Sequence, residues 1–399
     1  MQDKTIVIVG LQSWTSSIGS NCKNLAIEFS KKNKVLFVNR ATDRKSVLIS
    51  SVKGKYGFKL PLFNIGSPKI QHVDSNLWVF EPSVILESFN FLPAPIFDFF
   101  NRLNAKRFAN QIKHALSFLD FDREYILFND NDFFRGQYLK EELKPSMMLY
   151  YLRDFLISQP YFKRHGKRLE ISIMQKSDHV FTNSPMLSEY AKKFNLKVTD
   201  IGQGCDFKYF DSELSYETPA ELIKLKGPVI GYVGSMVHFR LDIKMLEKIC
   251  RNTPKWNWVF VGPEDNYFAK SVLHDLSNVF FIGPKNEDEL AMYIQAFDVC
   301  INPQLINEIT NVNYPRKVDE YLIMGKPVVS RNTEFMRTFL PFVYLYDTIE
   351  QFEECIELSL NQSHDADLKL ERKNFAQTHS WENCVIKIYH QIEKKSTHE

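Results

Sequence analysis

The sequence predicts an α/β protein that folds as two domains. Short apolar runs ending in Gly or Pro recur along the chain, and segments with apolar residues at helical spacing separate them. Such runs are typical of strands buried on both faces of a parallel sheet, and the helices between them supply the crossovers. A chain of 399 residues is also too long for one ordinary core, so the length favours two domains.

The first domain begins with a strand, a helix and a second strand. TIVIVG ends at Gly10, apolar residues at helical spacing follow over 21–33, and KVLFVNR is again strand-like. Three further strand candidates are REYILFND, SMMLYYLRD and SDHVFTNS. The pattern breaks into glycines and polar residues at IGQGCDFKYF, and this break predicts a boundary between domains 1–205 and 206–380.

The second domain repeats the same alternation. Its strand candidates are GPVIGYVGS, WNWVFVGP, VFFIGP and VCINP, and its helix candidates are LDIKMLEKICRNTP and NEDELAMYIQAF. NYPRKVDEYLIMGKPVVS then predicts a short helix, a stop and a buried strand. The end of the chain predicts one or two amphipathic helices.

Composition argues against several classes of protein. Because 50 basic and 48 acidic residues nearly cancel, the net charge of +2 gives no general attraction to nucleic acid. The six cysteines form no CxxC pair and no zinc-type spacing with histidine, so we expect reduced thiols and no metal site. The start of the sequence does not resemble a signal peptide, and no apolar run reaches about 18 residues. We therefore expect a cytoplasmic protein without a membrane span.

The short helix after VCINP is the main functional candidate. Pro315 suits its first turn, Asn313 is a candidate cap, and Gly325 is a natural stop. Lys317 and Glu320, three residues apart, share one edge of the helix. The predicted buried stripe consists of Val318, Tyr321 and Leu322.

A ligand with a diphosphate and a ribose fits this helix. Its N-terminus at the carboxyl end of a parallel strand would favour an anion, and Lys317 would add positive charge. Glu320, a turn further on, would accept hydrogen bonds from sugar hydroxyls. The same spacing also fits a solvated ion pair, but the position directly after a strand favours the ligand-binding interpretation.

A family resemblance extends this interpretation. In order and spacing, GYVGSMVHFRLD, WNWVFVGP, NVFFIGPKNEDELAMYIQAFDVCINP and NYPRKVDEYLIMGKPVVS resemble the donor-binding half of GT-B glycosyltransferases, especially family-4-like bacterial nucleotide-sugar glycosyltransferases. The resemblance covers most of 227–335. It extends more loosely to SWTSSIGSN, LYYLRDF, DHVFTNSPMLSEY and IGQGCDFKYF in the first half.

The resemblance implies a fold and an activity. The fold is GT-B, with two Rossmann-like domains facing each other across a cleft and a C-terminal helix, 381–399, that crosses back to the first domain. The implied activity is a metal-independent transfer, of hexosyltransferase type, from a nucleotide-diphosphate sugar to a glycan or lipid-linked acceptor in cell-surface polysaccharide synthesis. No further cofactor is implied.

The resemblance also assigns roles to residues of the second domain. Glu320 matches the glutamate that holds the ribose hydroxyls, and Lys317 lies where the family has a residue near the sugar or the diphosphate. Ser235 and Arg240 match a loop that reaches the diphosphate. The implied donor-binding set is Ser235, Gly283, Pro284, Lys285, Asn313, Tyr314 and Glu320.

Asp154, Arg240 and Lys317 form the implied catalytic set. Asp154 falls where the family has a polar residue at the donor sugar, on the acceptor side. The implied acceptor-side residues Gly10, Trp14 and Gly19 match a loop under the leaving group, although Trp14 also fits a place in the core.

This sequence departs from the family pattern at two positions. Val312 stands where related enzymes often have a second carboxylate, and Leu241 stands where many have a lysine. These departures leave open which residue touches the transferred sugar, and also the stereochemical outcome. Two other functions stay open as well: an isomerase resembling nucleotide-sugar 2-epimerases, and a non-catalytic partner that binds nucleotide sugars.

The stretch 91–119 combines many aromatic residues with a basic character. Asp98 is its only acid. A basic, aromatic helix of this kind fits an ordinary packed helix, and it also fits a peripheral contact with the anionic inner face of the plasma membrane. Its cations include Arg102, Lys106, Arg107 and Lys113.

Overall fold

The chain forms two compact units in a computed structural model. Unit 1 consists of 1–204 with 381–399, and unit 2 consists of 205–380. Each unit is built around a mainly parallel sheet, so the predicted α/β class is confirmed. The structure describes residues 1–16, 20–52, 63–64, 66–121, 124–158, 161–307, 310 and 314–396.

Unit 1 is organised by one large sheet. Its described strands are β1 (Thr5–Gly10), β2 (Lys34–Val38), β3 (Thr42–Asp43), β4 (Lys69–Asp74), β5 (Leu77–Glu81), β6 (Ile85–Leu86), β7 (Tyr125–Asp130), β8 (Met147–Leu152), β9 (His179–Thr182) and β10 (Val198–Asp200). The sheet has the order β10-β9-β8-β7-β1-β2-β5-β4, and β3 pairs with β6 apart from it. Its strands are parallel except for β4, which runs antiparallel to β5 at the edge.

Helices cover this sheet. They are α1 (Asn21–Ser30), α2 (Arg44–Val52), α3 (Ala94–Phe118), α4 (Leu139–Leu143), α5 (Gly166–Lys176) and α6 (Pro185–Lys192). The core lies in two layers because alternate side chains of the strands point to opposite faces: Val7 and Val9 belong to one apolar cluster, Ile6 and Ile8 to the other. Helix α1 starts where the Ser20 hydroxyl caps it by accepting from the Lys23 N–H.

Unit 2 has a smaller, fully parallel sheet. Its strands are β11 (Val229–Val233), β12 (Asn257–Val261), β13 (Val279–Gly283), β14 (Val299–Asn302), β15 (Val328–Arg331) and β16 (Val343–Tyr346). They lie in the order β13-β12-β11-β14-β15-β16. The helices are α7 (Ile243–Asn252), α8 (Leu290–Ala296), α9 (Arg316–Ile323), α10 (Ile349–Asn361) and α11 (Ala366–Gln377).

The last helix, α12 (Trp381–Ser396), belongs to unit 1. Its apolar face is buried against α1, where the Tyr389 ring lies 5.9 Å from the Phe29 ring and the Tyr389 hydroxyl accepts from the Asn33 amide at 2.8 Å. Each large apolar side chain buried in this way stabilises the docking by about 2 kcal/mol. Gly204 lies against the Trp381 ring, where a Cβ would come within 2.2 Å, so this approach requires glycine.

Candidate functional site

The order of the unit 2 sheet reverses between β11 and β14. Strand β11 pairs with β12 on one side and with β14 on the other. Open α/β sheets bind ligands in the crevice that such a reversal creates at the carboxyl ends of the strands. The loops that follow β11 and β14 therefore form the candidate site of this unit.

Glycines lock neighbouring loops together at this edge. The Gly234 N–H donates to the Val261 carbonyl oxygen, and the Gly262 N–H donates to the Gly283 carbonyl oxygen, both at 2.9 Å. A Cβ on Gly262 would come within 2.2 Å of the Gly234 carbonyl oxygen, and these two residues have φ values of +143° and +140°. Both the close approach and the backbone conformation require glycine.

The Lys317 side chain reaches from α9 to the loop after β11. Its ammonium group donates to the Tyr232 hydroxyl at 3.2 Å and lies 4.8 Å from the centre of the Tyr232 ring. The same hydroxyl donates to the Ser235 carbonyl oxygen at 3.1 Å. No carboxylate of the described residues pairs with the ammonium group, so its positive charge is available at the edge of the sheet.

Helix α9 can aim Lys317 because its other face is anchored. Val318, Tyr321 and Leu322 are fully buried, which confirms the predicted stripe. The Val233 N–H donates to the Tyr321 hydroxyl at 2.8 Å, and this bond ties the helix to the end of β11. The chain leaves the helix through Gly325, the predicted stop, with a φ of +73°.

The tip of α9 is less open than the sequence predicts. Pro315 occupies the cap position, and the helix begins at Arg316. The N–H groups of Arg316 and Val318 already donate to carbonyl oxygens of the preceding turn, at 3.1 and 2.8 Å. Asn313, the predicted cap, lies outside the described residues. The positive potential at this end of α9 therefore comes more from the Lys317 ammonium group than from these two N–H groups.

Glu320 lies three residues further along the same helix. Its side chain is partly exposed and has no hydrogen-bond or ion-pair partner among the residues that the structure describes. Burial raises the pKa of this carboxyl above its usual value, and the charges of Arg316 and Lys317 offset only part of the rise. An unpartnered acid of this kind can accept hydrogen bonds from a ligand.

The neighbouring acid, Asp319, is instead fully bonded inside the unit. It is completely buried, one carboxylate oxygen lies 2.7 Å from His379 Nδ1, and the other accepts from the Cys205 thiol at 3.2 Å. The Tyr314 hydroxyl also donates to this carboxylate. Tyr314, a predicted donor-binding residue, is thus held by an interior network, and its contact with a ligand stays a prediction.

Two other predicted donor-side residues lie in the loop between β11 and α7. Ser235 and Arg240 are both exposed there. The Arg240 guanidinium lies 6.0 Å from the centre of the Phe239 ring. The loop therefore presents a second cation on the same side of the sheet as Lys317, since it follows the carboxyl end of β11.

Three residues of the predicted donor-binding set, Gly283, Pro284 and Lys285, lie at the end of β13 and directly after it. Gly283 adopts a φ of +77° with open space around it, and Pro284 is exposed. The Lys285 ammonium group forms an ion pair with Glu221 at 3.0 Å. Hydrogen bonds with Tyr293 and Glu221 raise the pKa of Lys285. The charge of Lys285 is thus paired inside the unit. The main-chain groups of this loop, rather than the Lys285 side chain, are therefore the ones available to bind a ligand.

Unit 1 has its own reversal, between β1 and β7. Strand β1 pairs with β2 on one side and with β7 on the other, and Gly10 lies opposite Asp130 at the end of this pair. A Cβ on Gly10 would come within 3.1 Å of both the Asp130 Cβ and the Cys22 sulfur. Gly10 therefore allows a close packing of strand ends beside the N-terminus of α1.

Arg153 joins two acids at this edge of unit 1. Its Nε donates to Asp130 at 2.8 Å, and its Nη1 donates to Asp154 at 2.6 Å. Burial raises the pKa of the Asp130 carboxyl, although the Arg153 charge opposes the rise. Burial lowers the pKa of the Arg153 guanidinium, but the two carboxylates raise it by more. The predicted catalytic residue Asp154 is 50% exposed and is held in place by this pair.

Trp14 lies in the loop after β1 and makes core contacts. Its ring meets the Phe37 ring edge-on at 5.2 Å, and its main-chain N–H donates to the Asn39 side chain at 2.7 Å. The Lys23 ammonium group lies 4.9 Å from the centre of the indole. The acceptor-side role of Trp14 stays a prediction. Gly19, the other predicted residue of this loop, lies outside the described residues.

Three participants were missed by sequence reasoning: Tyr232, Asp130 and Arg153. Asp130 and Arg153 stand in FND and LRD, where buried strands end in polar residues, and polar residues at the carboxyl end of a strand indicate a candidate site. Tyr232 lies inside an apolar strand, so its sequence position gives no such indication.

The described ranges offer neither a cluster of metal ligands nor a membrane span. Within them, no group of three or more His, Cys, Asp or Glu side chains could hold a metal ion. None of the helices described is both long and apolar enough to cross a bilayer.

Two parallel-sheet units, each with loops gathered at a strand reversal, define this chain as a protein of the GT-B fold. Solved structures match it along nearly its whole length. Sucrose-phosphate synthase from Thermosynechococcus elongatus has a TM-score of 0.63 at 14% identity and covers 100% of both chains. Anabaena Alr3699/HepE in complex with UDP has a TM-score of 0.61 at 13% identity and covers 98% of this chain and 100% of its own. An α,α-trehalose-phosphate synthase (UDP-forming) from Burkholderia vietnamiensis has a TM-score of 0.62 at 10% identity, with 100% of both chains covered.

Sequence comparison adds a family match. Residues 227–340 match the family model of the glycosyl transferases group 1, and this segment lies within unit 2, where the motifs indicated the resemblance. TuaH of Bacillus subtilis (strain 168), whose name assigns it to teichuronic acid biosynthesis as a glycosyltransferase, is 30% identical over 247 residues. The match covers 59% of this chain and 61% of TuaH, so the chain spans less than two thirds of that relative.

Proposed function

We propose that this protein transfers a hexose from a nucleotide-diphosphate sugar to a glycan or glycolipid acceptor in cell-surface polysaccharide synthesis. One observation carries the proposal: Lys317, a cation without a carboxylate partner among the described residues, and Glu320, an acid without a partner among them, share α9 beside the β11–β14 reversal. A diphosphate requires the first group, and ribose hydroxyls require the second. Arg240 in the loop after β11 adds a further cation.

UDP is the nucleotide that we propose for the donor. Support comes from the structures of Anabaena Alr3699/HepE, which were determined in complex with UDP and with UDP-glucose. The proposed base contacts are made by the main chain of Gly283, Pro284 and Lys285, where the loop has open space beside Gly283. Lys285 itself stays paired with Glu221 in this scheme.

The chemical step breaks the bond between the anomeric carbon of the sugar and the diphosphate, so negative charge grows on the leaving group. A fixed cation aimed at that charge lowers the barrier, and loss of one such donor typically costs about 3 kcal/mol. Lys317 is held for this role by the ring and the hydroxyl of Tyr232. Because cationic side chains neutralise the leaving group here, we propose that no metal ion is needed.

In unit 1 we propose that Asp154 accepts the proton of the acceptor hydroxyl or orients a hydroxyl of the donor sugar. Its hydrogen bond from the Arg153 guanidinium would keep the carboxylate oriented. We assign Gly10, at the end of β1, and Trp14, in the loop that follows it, to the acceptor side. The name of TuaH supports an acceptor in cell-surface polysaccharide synthesis, and we propose that the enzyme works in the cytoplasm, at the inner face of the plasma membrane.

The test is a calorimetric titration with UDP, GDP and dTDP, in EDTA and then in Mg²⁺. We expect UDP to bind most tightly, with the same affinity in both buffers. Failure of all three nucleotides to bind would refute the proposal, and binding that requires Mg²⁺ would refute its metal-independent form.

Incubation with a panel of nucleotide sugars then separates transfer from the two alternatives. We expect release of a nucleotide diphosphate. Formation of a new sugar isomer without release would instead identify an isomerase of the 2-epimerase type. Binding without either product, also in the presence of lipid-linked acceptors, would identify a non-catalytic partner.

A further inference from the structure

A histidine and an aspartate form a close pair in unit 2 that no role described above uses. One oxygen of the Asp265 carboxylate accepts from the His238 main-chain N–H at 2.8 Å and lies 2.7 Å from the His238 Nδ1. The other oxygen accepts from the main-chain N–H groups of Tyr267 and Phe268, both at 3.0 Å. The carboxylate is therefore fixed, and it fixes the histidine in turn.

The loop that carries His238 follows β11 and is tied to the loops on both sides of it. Towards β12, the Met236 N–H donates to the Pro263 carbonyl oxygen at 2.8 Å. Towards β14, the Leu305 N–H donates to the Arg240 carbonyl oxygen, also at 2.8 Å. His238 therefore stands at the strand reversal of unit 2, where ligands of open α/β sheets bind.

The same loop carries or touches the two cations of the proposed diphosphate site. Arg240 lies two residues after His238 and is exposed. At the start of the loop, a Cβ on Gly234 would come within 3.2 Å of the Lys317 Nζ. A further donor in this loop would thus act on the same ligand group.

The geometry of the pair determines which ring nitrogen of His238 is available. Partial burial raises the pKa of Asp265, but the hydrogen bonds from His238, Phe268 and Tyr267 lower it by more, to about 2. Because an ionised carboxylate only accepts hydrogen bonds, Nδ1 carries the proton of this contact. Nε2 has no hydrogen-bond partner among the residues that the structure describes.

The His238 ring is held in place and is still accessible. It lies 4.0 Å from the Tyr267 ring, with the two planes 33° apart. The side chain is 40% exposed. A ring fixed by a carboxylate and an aromatic neighbour, with one nitrogen unpartnered, is the arrangement that prepares a histidine to act on a ligand.

We infer that His238 is a further catalytic residue, which donates a hydrogen bond from Nε2 to a phosphate oxygen of the leaving diphosphate while Asp265 holds Nδ1. Ionised phosphate oxygens only accept hydrogen bonds, so the ring takes up a second proton from solvent when the nucleotide sugar binds. When the bond between the anomeric carbon and the diphosphate breaks, its electron pair goes to the leaving oxygen, and the proton stays on His238. This role rests on the proposed transferase function and adds a third cation to Lys317 and Arg240.

A second histidine–acid pair of unit 2 provides the matched control. His274 Nε2 lies 2.8 Å from Glu264, and the His274 ring stacks on Phe281 at 4.0 Å. His274 is 37% exposed, nearly as much as His238, but it precedes β13 and lies outside the loop after β11. Its replacement removes a pair of the same kind without touching the proposed diphosphate site.

Calorimetric titration of the full chain with UDP tests the contact. We expect His238→Asn to weaken UDP binding by about 10- to 100-fold, because a hydrogen bond between charged groups is lost. The asparagine amide can still donate to Asp265 in place of Nδ1, but it has no group at the position of Nε2. His274→Asn should bind UDP like the unaltered chain. Equal affinities of the two variants would overturn the contact.

The same two variants test the catalytic part of the role. With saturating nucleotide sugar, His238→Asn should slow nucleotide diphosphate release by about 10²-fold, because the lost donor acts on charge that grows in the transition state. His274→Asn should keep its rate. A raised KM with an unchanged rate would show that His238 only binds the donor, and would overturn its catalytic role.

Nitrogen-15 NMR of the histidine rings tests the protonation of His238 in the unaltered chain. The signals of His238 are those that His238→Asn and His238→Gln each remove. Near neutral pH, we expect both of its ring nitrogens to be protonated in the UDP complex, with Nε2 changing most on binding and the His274 signals unchanged. An Nε2 without a proton in the complex, or signals that UDP does not move, would overturn the role.

The unaltered chain separates this role from the proposed function. If it binds UDP and His238→Asn binds UDP equally well, the role of His238 is wrong and the proposed function stands. If the unaltered chain binds none of UDP, GDP and dTDP, the proposed function fails, and the role of His238 fails with it.

Discussion

The two strand reversals handle charge in opposite ways. At the reversal of unit 1, Arg153 binds both Asp130 and Asp154, so the charges are matched within the unit. At the reversal of unit 2, Lys317 and Glu320 stand three residues apart on one helix, and neither has an ion-pair partner among the described residues. The charged side chains at the unit 1 reversal are therefore neutralised by each other, whereas Lys317 and Glu320 of unit 2 stay available to a ligand.

This difference indicates where a charged ligand binds. A buried charge that is paired within the protein holds neighbouring elements in place. A charge without a partner lowers stability, so we expect to find it where a ligand supplies the missing partner. We therefore expect the diphosphate at unit 2 and an uncharged hydroxyl at unit 1. The raised pKa of the Glu320 carboxyl reflects this loss of stability, because burial disfavours the charged form of the group.

Arg153→Gln should have the largest effect, and it acts on stability. The change leaves the fully buried Asp130 carboxylate without its cation, and removal of one partner of a buried pair typically costs about 3–5 kcal/mol. The free energy of unfolding, measured by urea titration, should fall by this amount. The double variant with Asp130→Asn should recover most of the loss. A loss below about 1 kcal/mol would mean that the pair behaves like a surface ion pair and would remove the contrast between the units.

Lys317→Met should have the next largest effect, and it acts on catalysis. Loss of the fixed cation should slow nucleotide diphosphate release by about 10²–10³-fold, while the free energy of unfolding changes by less than about 1 kcal/mol. The rate is measured with a saturating nucleotide sugar. Lys248→Met, at an exposed position of α7, is the matched control and should keep its rate. Equal rates in the two variants would exclude Lys317 from the chemical step.

Glu320→Gln should weaken UDP binding and stabilise the fold. Hydrogen bonds to a charged group contribute about 1.5–3 kcal/mol, so affinity should fall by about 10- to 100-fold. Because the folded pKa is raised, the contribution of this carboxyl to stability is fully present at low pH and is lost as the pH rises through the folded pKa. The variant should therefore unfold at a higher temperature at neutral pH. A lower unfolding temperature together with unchanged UDP affinity would assign Glu320 a structural role.

Glu170 in unit 1 provides the matched control for that change. Burial raises its pKa to about 7, although a hydrogen bond from the Tyr190 hydroxyl at 3.0 Å opposes the rise. The sign is the same as for Glu320, so stability should fall as the pH rises from about 4.5 to 7. Glu170→Gln should remove that pH dependence and leave the UDP affinity unchanged.

Local patterns of the sequence predicted the elements that hold the unit 2 site. The buried stripe of α9 and its stop at Gly325 follow from helical spacing and from the conformational freedom of glycine, and both are confirmed. Strand β16 and helix α10 were not predicted. VYLY is too short and too isolated to stand out, but Thr348 and Gln351 form a capping box at the start of α10 that was readable.

Contacts between distant residues could not be predicted from the sequence. Arg153 and Asp130 are 23 positions apart, and only the pairing of β7 with β8 brings them together. Asp319 looks like a solvated acid on a short helix, yet His379, 60 positions further on, keeps it buried and bonded. One sequence shows residue types and spacing, whereas these networks depend on tertiary packing.

Tyr232→Phe should have the smallest effect, and it tests how Lys317 is held. The change removes the hydroxyl that lies 3.2 Å from the ammonium group and keeps the ring that lies 4.8 Å from it. A hydrogen bond of this kind contributes about 0.5–1.5 kcal/mol, so the rate of nucleotide diphosphate release should fall by about 2- to 12-fold, with the KM for the donor nearly unchanged.

Tyr346→Phe is the matched control, because the Tyr346 hydroxyl is buried in the same unit without a hydrogen-bond partner among the described residues. Its removal should leave the rate unchanged and should not lower the free energy of unfolding. If Tyr232→Phe slows release as much as Lys317→Met does, then the hydroxyl, rather than the ring, holds the cation at the edge of the sheet.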